Sequence, residues 1–189
     1  MGEHARQKWF GCACCPGNVT RFMASVSNYQ YATQNHDVFV NLYIQGLASI
    51  KTPSDSMTIQ QLSDFPWNGL VKMIVRPQQS RPFAIKLRIP GWALTSPVPS
   101  DLYRFTDTPK PYSIKVNGKE MDIKTENGYA VINRTWNMGD EIELSLPMEI
   151  RHIKANDQVA VDKGKLALQR GPIVYCLEGK DQADQTVFN

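Results

Sequence analysis

The chain has 189 residues, of which 42% are hydrophobic, and a formal net charge of +3. This length and composition allow one packed core, or one and a fraction, and exclude a wholly disordered chain and a disulfide-stapled mini-protein. Because Lys and Arg are scattered and the net charge is small, we expect no nucleic-acid partner. We expect no membrane partner either, since no run of 18 apolar residues is present. Met1–His4 does not begin a signal peptide, and the full-length protein is expected in the cytoplasm or the periplasm.

One amphipathic helix is predicted close to the N-terminus. Asn18 is typical of an N-cap, and the helix is expected to run from about Val19 to about Tyr31. Apolar residues recur there at three- and four-residue steps and form one stripe, which consists of Val19, Phe22, Met23, Val26 and Tyr29. A single amphipathic helix must bury such a stripe against another surface.

From about Val38 the hydrophobic period changes from 3.6 to 2, which indicates short strands. Turn signals such as Pro90-Gly91, Asn117-Gly118 and Asn127-Gly128 separate them. The predicted strands are 38–44, 71–75, 83–89, 113–116, 129–133, 142–146, 159–161, 166–168 and 173–175. The proline-rich stretch 95–111 is predicted to be a long loop. The pattern predicts a mainly β protein with an antiparallel, jelly-roll-like β-sandwich over residues 33–152, a separate segment 1–32, and the start of a further β domain at 153–189.

The four cysteines are unevenly placed, with Cys12, Cys14 and Cys15 in one short segment and Cys176 far away. Adjacent cysteines form a disulfide only with strain, so the cluster indicates metal binding or nucleophilic catalysis. The start of a helix favours negatively charged groups such as thiolates, and two thiolates suit one zinc ion.

Zinc prefers about four ligands, and the sequence does not supply the others. Cys12 lies at an awkward spacing, and nothing directs Glu3 or His4 toward the sulfur atoms. The alternative is that the cysteines are small buried residues that fill space beside Trp9 and Phe10.

The string Gly11-Cys-Ala-Cys-Cys-Pro-Gly-Asn18, followed by Arg21, resembles the cysteine motif of the β-L-arabinofuranosidase family, glycoside hydrolase family 127. Further segments resemble motifs of that family in the same order; they are Leu87–Trp92, Asn117-Gly118, Gly128-Tyr129, Trp136–Asp140 and Leu168–Tyr175. The similarity therefore extends over nearly the whole chain. It is specific to the family and not to one substrate.

The resemblance implies an α/α-barrel catalytic domain followed by β-sandwich domains, so residues 1–32 would carry the last helix of that barrel. It also implies that Cys14 is the nucleophile and a zinc ligand, and that Cys15 is a second zinc ligand. The family's other ligands and its acid/base glutamate lie upstream of this motif, so we expect this chain alone to be inactive and to need the missing barrel segment as a partner. The implied reaction is retaining hydrolysis of arabinofuranosyl glycans through a cysteine thiolate.

Two other hypotheses stay open. In the first, the chain is a non-catalytic β-sandwich module that binds carbohydrate or packs on a catalytic domain. In the second, it is a stand-alone zinc-binding protein. Trp67, Trp92 and Trp136 are candidates for sugar stacking, although packing at the sandwich edge is the commoner role of such residues. Cys176 is predicted to be a small buried residue.

The resemblance has a consequence for the helix as well. If its apolar stripe belongs inside a barrel, the isolated chain leaves about 1.5–3 kcal/mol of burial energy per side chain unused. We therefore expect self-association, or disorder of residues 1–32.

Overall fold

The computed structural model describes residues 11–53, 55–123 and 125–182. They divide into two units, Gln30–Tyr175 and a smaller unit of residues 11–29 with 176–182. Strands dominate the regular structure of the described chain, which has one α-helix, and this confirms the predicted fold class of a β-sandwich preceded by a helix. No helix within the described ranges has both the length and the apolar character that a membrane crossing requires.

The helix α1 spans Cys14–Ser25 and continues as a 3₁₀ turn over Val26–Tyr29. The predicted start at Val19 and the N-cap role of Asn18 are therefore wrong, because Asn18 lies inside the helix. Pro16 does not prevent the earlier start, since the first-turn amides of a helix have no intrahelical acceptor and the missing N–H costs nothing there. The predicted end at Tyr31 is also wrong, because Tyr31 pairs with Val40 as the first residue of a strand.

Fifteen strands are present in the described residues. They are β1 Tyr31–Gln34, β2 Asp37–Val40, β3 Gly46–Thr52, β4 Asp55–Ser63, β5 Leu70–Pro77, β6 Arg81–Arg88, β7 Tyr103–Phe105, β8 Ser113–Val116, β9 Lys119–Met121, β10 Thr125–Glu126, β11 Tyr129–Trp136, β12 Asp140–Ser145, β13 Ile150–Ala155, β14 Ala167–Arg170 and β15 Ile173–Tyr175. Strands β5, β6, β8, β11, β12, β14 and β15 lie where the alternation predicted them.

Two sheets form the sandwich. One has the order β1-β2-β6-β11-β10, and the other has the order β3-β4-β5-β12-β8-β9. All neighbours are antiparallel except β2 and β6, which run parallel. The core between the sheets is one continuous cluster of buried apolar side chains, to which both sheets contribute alternate residues; Val38, Ile85, Leu87 and Ile132 come from one sheet, and Ile59, Met73, Ile142 and Leu144 from the other. Each such side chain contributes about 1.5–3 kcal/mol by its burial.

A third sheet has the order β15-β14-β13-β7. Its strand β7 lies inside the stretch 95–111, so the prediction of a continuous loop there is wrong. The predicted strand 159–161 is also wrong, because Ala160–Asp162 form a 3₁₀ turn. The proposed domain boundary near residue 152 stays a prediction.

The tight turn between β11 and β12 is fixed by one carboxylate. Asp140 accepts hydrogen bonds from the backbone N–H of Asn137 at 2.9 Å and from the side-chain amide of Asn117 at 2.8 Å. Arg134 approaches the same carboxylate at 3.6 Å. Burial raises the pKa of Asp140, but these hydrogen bonds and the nearby charge outweigh it, so the pKa is lowered overall. The preceding Gly139 has a φ of +88°, which favours glycine.

Candidate functional site

The adjacent cysteines form the beginning of α1. Cys14 is the first helical residue and Ala13 is the N-cap, with no side-chain hydrogen bond capping this end. The first backbone bond at this end runs from the Gly17 N–H to the Ala13 carbonyl at 3.4 Å. The amides of Cys14 and Cys15 precede that bond and have no acceptor within the helix.

The thiol groups of this segment are accessible. Cys12, Cys14 and Cys15 are all exposed, which is contrary to the alternative in which they fill a buried space. The Sγ atoms of Cys14 and Cys15 lie 3.7 Å apart. The described residues do not include Glu3 and His4, which were considered above as ligands, or Trp9 and Phe10, which were considered as packing neighbours of the cysteines.

Within the described ranges, no group of three or more His, Cys, Asp or Glu residues is arranged to hold a metal ion. Two sulfur atoms alone would supply half of the ligands of a tetrahedral ion. Cys176 is exposed, so the prediction that it is buried is wrong.

The apolar stripe of α1 is exposed. Val19, Phe22 and Met23 are 61%, 53% and 62% exposed, and the helix contains no buried residue. The ring centroids of Phe22 and Tyr29, two members of the stripe, lie 6.0 Å apart. The helix that carries the cysteines thus presents apolar side chains to solvent in this chain.

A second candidate site lies wholly within the sandwich unit. A cavity of about 500 Å³ is formed by residues 41–44, Phe65, Arg88, residues 90–92 and 96–99, and Pro172. Trp92 is half-buried in its wall, so its ring both packs against the core and borders the cavity. Its carbonyl oxygen accepts a hydrogen bond from Arg151 Nη1 at 3.2 Å. A Cβ atom at Gly171, whose φ is +57°, would lie 3.7 Å from the Trp92 ring.

The other tryptophans that the sequence singled out have different surroundings. Trp136 is fully buried and donates its indole N–H to the Phe83 carbonyl at 3.1 Å, so it is a core residue and not a sugar platform. Trp67 is 70% exposed and does not line the cavity.

Asp107, Glu141 and His152 have ordinary surface roles. Asp107 accepts a hydrogen bond from the His152 backbone N–H at 2.7 Å, and His152 Nδ1 lies 3.2 Å from the same oxygen. The backbone bond, together with the His152 ring, lowers the pKa of Asp107. Glu141 forms an ion pair with Lys72 at 2.7 Å on the sheet surface. Neither arrangement lies in the cavity, and neither contains a nucleophile.

Sequence reasoning did not find the cavity residues Asn41, Tyr43, Phe65 and Arg88. Tyr43 and Phe65 are far apart in the sequence, and their rings meet edge to face at 6.1 Å only after folding. The one signal was the Leu87–Trp92 motif, which contains both Arg88 and Trp92.

Sequence comparison relates the chain to a known family. A sequence model described as "Beta-L-arabinofuranosidase, GH127 middle domain" matches residues 37–148. A second, described as "Glycoside hydrolase family 127 C-terminal domain", matches residues 150–188. The non-reducing end beta-L-arabinofuranosidase of Bifidobacterium longum subsp. longum is 36% identical over 181 residues, covering 93% of this chain and 25% of the relative.

Solved structures agree with these matches. A GH127 beta-arabinofuranosidase has a TM-score of 0.87 and 41% identity, over 95% of this chain and 28% of that one. The crystal structure of a GH127 beta-L-arabinofuranosidase from Geobacillus stearothermophilus T6 has a TM-score of 0.81 and 40% identity. That match covers 95% of this chain and 26% of the other one. The chain thus spans about a quarter of the length of these relatives. With a family model matching more than half of its residues, the chain belongs to glycoside hydrolase family 127.

Proposed function

We propose that this chain is part of a retaining β-L-arabinofuranosidase in which Cys14 is the nucleophile and Cys14 and Cys15 bind zinc. The observation that carries the proposal is the pair of exposed, adjacent thiols at the first turn of α1. The relatives whose names specify beta-L-arabinofuranosidase activity support the substrate class, which would be arabinofuranosides of plant glycans or of glycoproteins.

The two thiols fit a zinc ion by donor type and by spacing. Zn–S bonds of about 2.3 Å at tetrahedral angles separate two sulfur ligands by about 3.8 Å. The Sγ atoms of Cys14 and Cys15 lie 3.7 Å apart. Since two sulfur atoms leave about two coordination positions unfilled, the proposal requires further ligands from outside the described residues. Zinc in this position would keep both thiols deprotonated at neutral pH.

In this proposal the Cys14 thiolate attacks the anomeric carbon of a β-L-arabinofuranoside. An S–C bond forms while the glycosidic C–O bond breaks, and a carboxylic acid protonates the leaving oxygen. The resulting carboxylate then removes a proton from water, the water attacks the same carbon, and the S–C bond breaks. Two inversions give net retention, as in glycosidases that use a carboxylate nucleophile. The exposed position of Cys14 permits the approach of a sugar.

The proposal can be tested in a chimera in which this chain replaces the matching quarter of the Bifidobacterium relative. We expect the chimera to hydrolyse 4-nitrophenyl β-L-arabinofuranoside. Cys14→Ser should abolish turnover, and Cys15→Ser should remove zinc and activity together. Cys12→Ser and Cys176→Ser are matched controls, since both remove an exposed thiol that the proposal does not use.

An active chimera whose turnover survives Cys14→Ser would contradict the nucleophile assignment. An active chimera that keeps stoichiometric zinc with Cys15→Ser would contradict the ligand assignment. The first result would favour the alternative of a non-catalytic sandwich module, for which Cys14 has no chemical role.

A further inference from the structure

The cavity of the sandwich unit has the size and lining of a small-ligand site. Its volume of about 500 Å³ falls within the roughly 300–1,000 Å³ that is typical of such sites. The wall is mainly apolar and aromatic, with few polar side chains. All of the lining residues belong to the unit Gln30–Tyr175, so this site is built independently of the cysteine segment.

Aromatic side chains give the cavity a preformed wall. The rings of Phe65 and Trp92 are nearly parallel, with an interplanar angle of 19° and centroids 6.3 Å apart. Tyr43 supports Phe65 edge to face and is 5% exposed. Arg151, which is 6% exposed, fixes the Trp92 backbone through its carbonyl oxygen. A ligand therefore meets a wall that is held in place by buried groups.

Three carbonyl oxygens around the cavity already have donors. The Leu42 carbonyl accepts from Gln61, and the Ile44 carbonyl accepts from Gln30 at 2.7 Å. The Arg88 carbonyl accepts from the Tyr43 hydroxyl. These acceptors are therefore not available to a ligand that brings only hydrogen-bond donors.

Two polar side chains of the wall can donate hydrogen bonds to a ligand. The Arg88 side chain is exposed, and within the described ranges its guanidinium has neither an ion pair nor a hydrogen bond. Asn41 accepts the Tyr129 hydroxyl through Oδ1 at 2.7 Å, which leaves its Nδ2 amide, likewise without a partner among the described residues, to donate. One positive charge and one amide donor beside aromatic faces favour a ligand that combines an apolar face with a negatively charged acceptor.

We propose that this cavity binds a sugar residue that carries a carboxylate, that is, a uronic acid unit of an acidic glycan. The C–H face of the sugar ring stacks on Trp92 and Phe65, and its carboxylate pairs with the Arg88 guanidinium. A purely apolar ligand is less suited, because it would cover Arg88 and Asn41 and leave their donors unsatisfied. The inference goes beyond the proposed hydrolase function and does not depend on Cys14.

The test uses the full chain and galacturonic acid as the probe, with galactose as the uncharged counterpart. Ligand-observed NMR and calorimetry at low salt should give a Kd on the order of 1 mM for galacturonate and about tenfold weaker binding of galactose. Arg88→Gln should reduce galacturonate binding to the galactose level, and Phe65→Ala should weaken both sugars. Arg104→Gln and Trp67→Ala are the matched controls, since both alter exposed side chains outside the cavity wall.

Arg88 is exposed, so Arg88→Gln is expected to fold, and an unchanged thermal unfolding curve checks this. Added NaCl should weaken galacturonate binding but not galactose binding. Equal affinities for the two sugars, or galacturonate binding that Arg88→Gln leaves unchanged, would overturn the proposal. The absence of saturable binding up to about 20 mM would also overturn it. If 1-anilinonaphthalene-8-sulfonate binds at the cavity and galacturonate does not displace it, the proposal fails in favour of a surface that packs against protein.

Discussion

Arg151 is predicted to be a principal link between the third sheet and the wall of the cavity. Its Nη1 donates to the Trp92 carbonyl at 3.2 Å and its Nη2 to the Asp107 carbonyl at 2.8 Å. The guanidinium carbon lies 3.2 Å from the centroid of the Phe105 ring. We expect Arg151→Met, which keeps much of the volume, to remove all three interactions.

The magnitude follows from these contacts. Each of the two carbonyls loses a donor, at about 1–3 kcal/mol each, and the ring contact contributes about 0.5–2 kcal/mol. Burial of the Arg151 charge costs free energy of desolvation, and Arg151→Met removes that cost, so part of the loss of stability is offset. We expect a net decrease of about 2–4 kcal/mol in the free energy of unfolding. For a unit of this size that corresponds to a fall in Tm of roughly 10 °C.

Thermal and urea unfolding followed by circular dichroism measure this loss. Arg170→Met is a matched control, because Arg170 makes one exposed hydrogen bond, to the Trp67 carbonyl at 3.1 Å. The control should lose less than about 1 kcal/mol. Arg151→Lys should recover little of the stability, since one ammonium cannot reproduce the two-pronged contact of a guanidinium. An Arg151→Met variant that unfolds like Arg170→Met would refute the reasoning.

Three further predictions concern the turn after β11, the core and α1. Because the folded pKa of Asp140 is depressed, its stabilisation is complete above the unfolded value of 3.8 and is lost as the pH falls through the lower folded pKa. The wild type should therefore lose stability in urea unfolding as the pH falls below 3.8, and Asp140→Asn should not show this loss. Trp136→Phe removes a fully buried indole and its hydrogen bond, and urea midpoints should report a loss of about 2–4 kcal/mol, whereas an unchanged midpoint would contradict its core role. If the exposed stripe of α1 drives self-association, the double variant of Phe22→Ser and Met23→Ser should sediment as a monomer at concentrations where the wild type associates; a wild type that is monomeric throughout would refute this.

The strands that the sequence predicted are those with clear alternation. In β12 the apolar Ile142 and Leu144 point into the core while Glu141 and Glu143 face outward, and such a pattern identifies both the strand and its buried face. Strand β4 escaped prediction because a glutamine occupies one of its core positions. Gln61 is fully buried, and its side-chain amide donates to the Tyr31 hydroxyl at 2.7 Å. Its hydrogen-bond partners are Tyr31 of the opposite sheet and the Leu42 carbonyl, and neither is visible from the local sequence of β4.

The predicted boundaries of the helix were wrong at both ends. The apolar stripe correctly indicated a helix, but the N-cap rule selected Asn18 over Ala13, which has no capping side chain. At the other end the periodicity continued through Tyr31, whereas pairing with Val40 placed that residue in a sheet. At this second end a pairing beyond the local window determined the structure.

The two candidate sites differ in how far local sequence can specify them. The cysteine pair is contiguous, so its composition and its position beside a helix are visible in the sequence. The cavity is assembled from segments that start near residues 41, 65, 88, 96 and 172, and no short window contains its wall. Only Trp92 was singled out in advance, and its dual role as packing residue and cavity wall depends on Arg151, which lies 59 residues away in sequence.

The thiol geometry at the start of α1 depends on what stabilises that helix. Helices of about 12 residues are marginal by themselves, and α1 has 12 residues and buries none of them. The sandwich, by contrast, has a continuous core to which both sheets contribute. If Cys14 and Cys15 bind zinc as proposed, the ion would hold two residues of the first turn together, and its binding free energy would also favour the helix. Any surface that covers Phe22 and Met23 favours the same helix from its apolar side. Metal binding and burial of the stripe are therefore expected to reinforce each other, since both stabilise one short and otherwise marginal element.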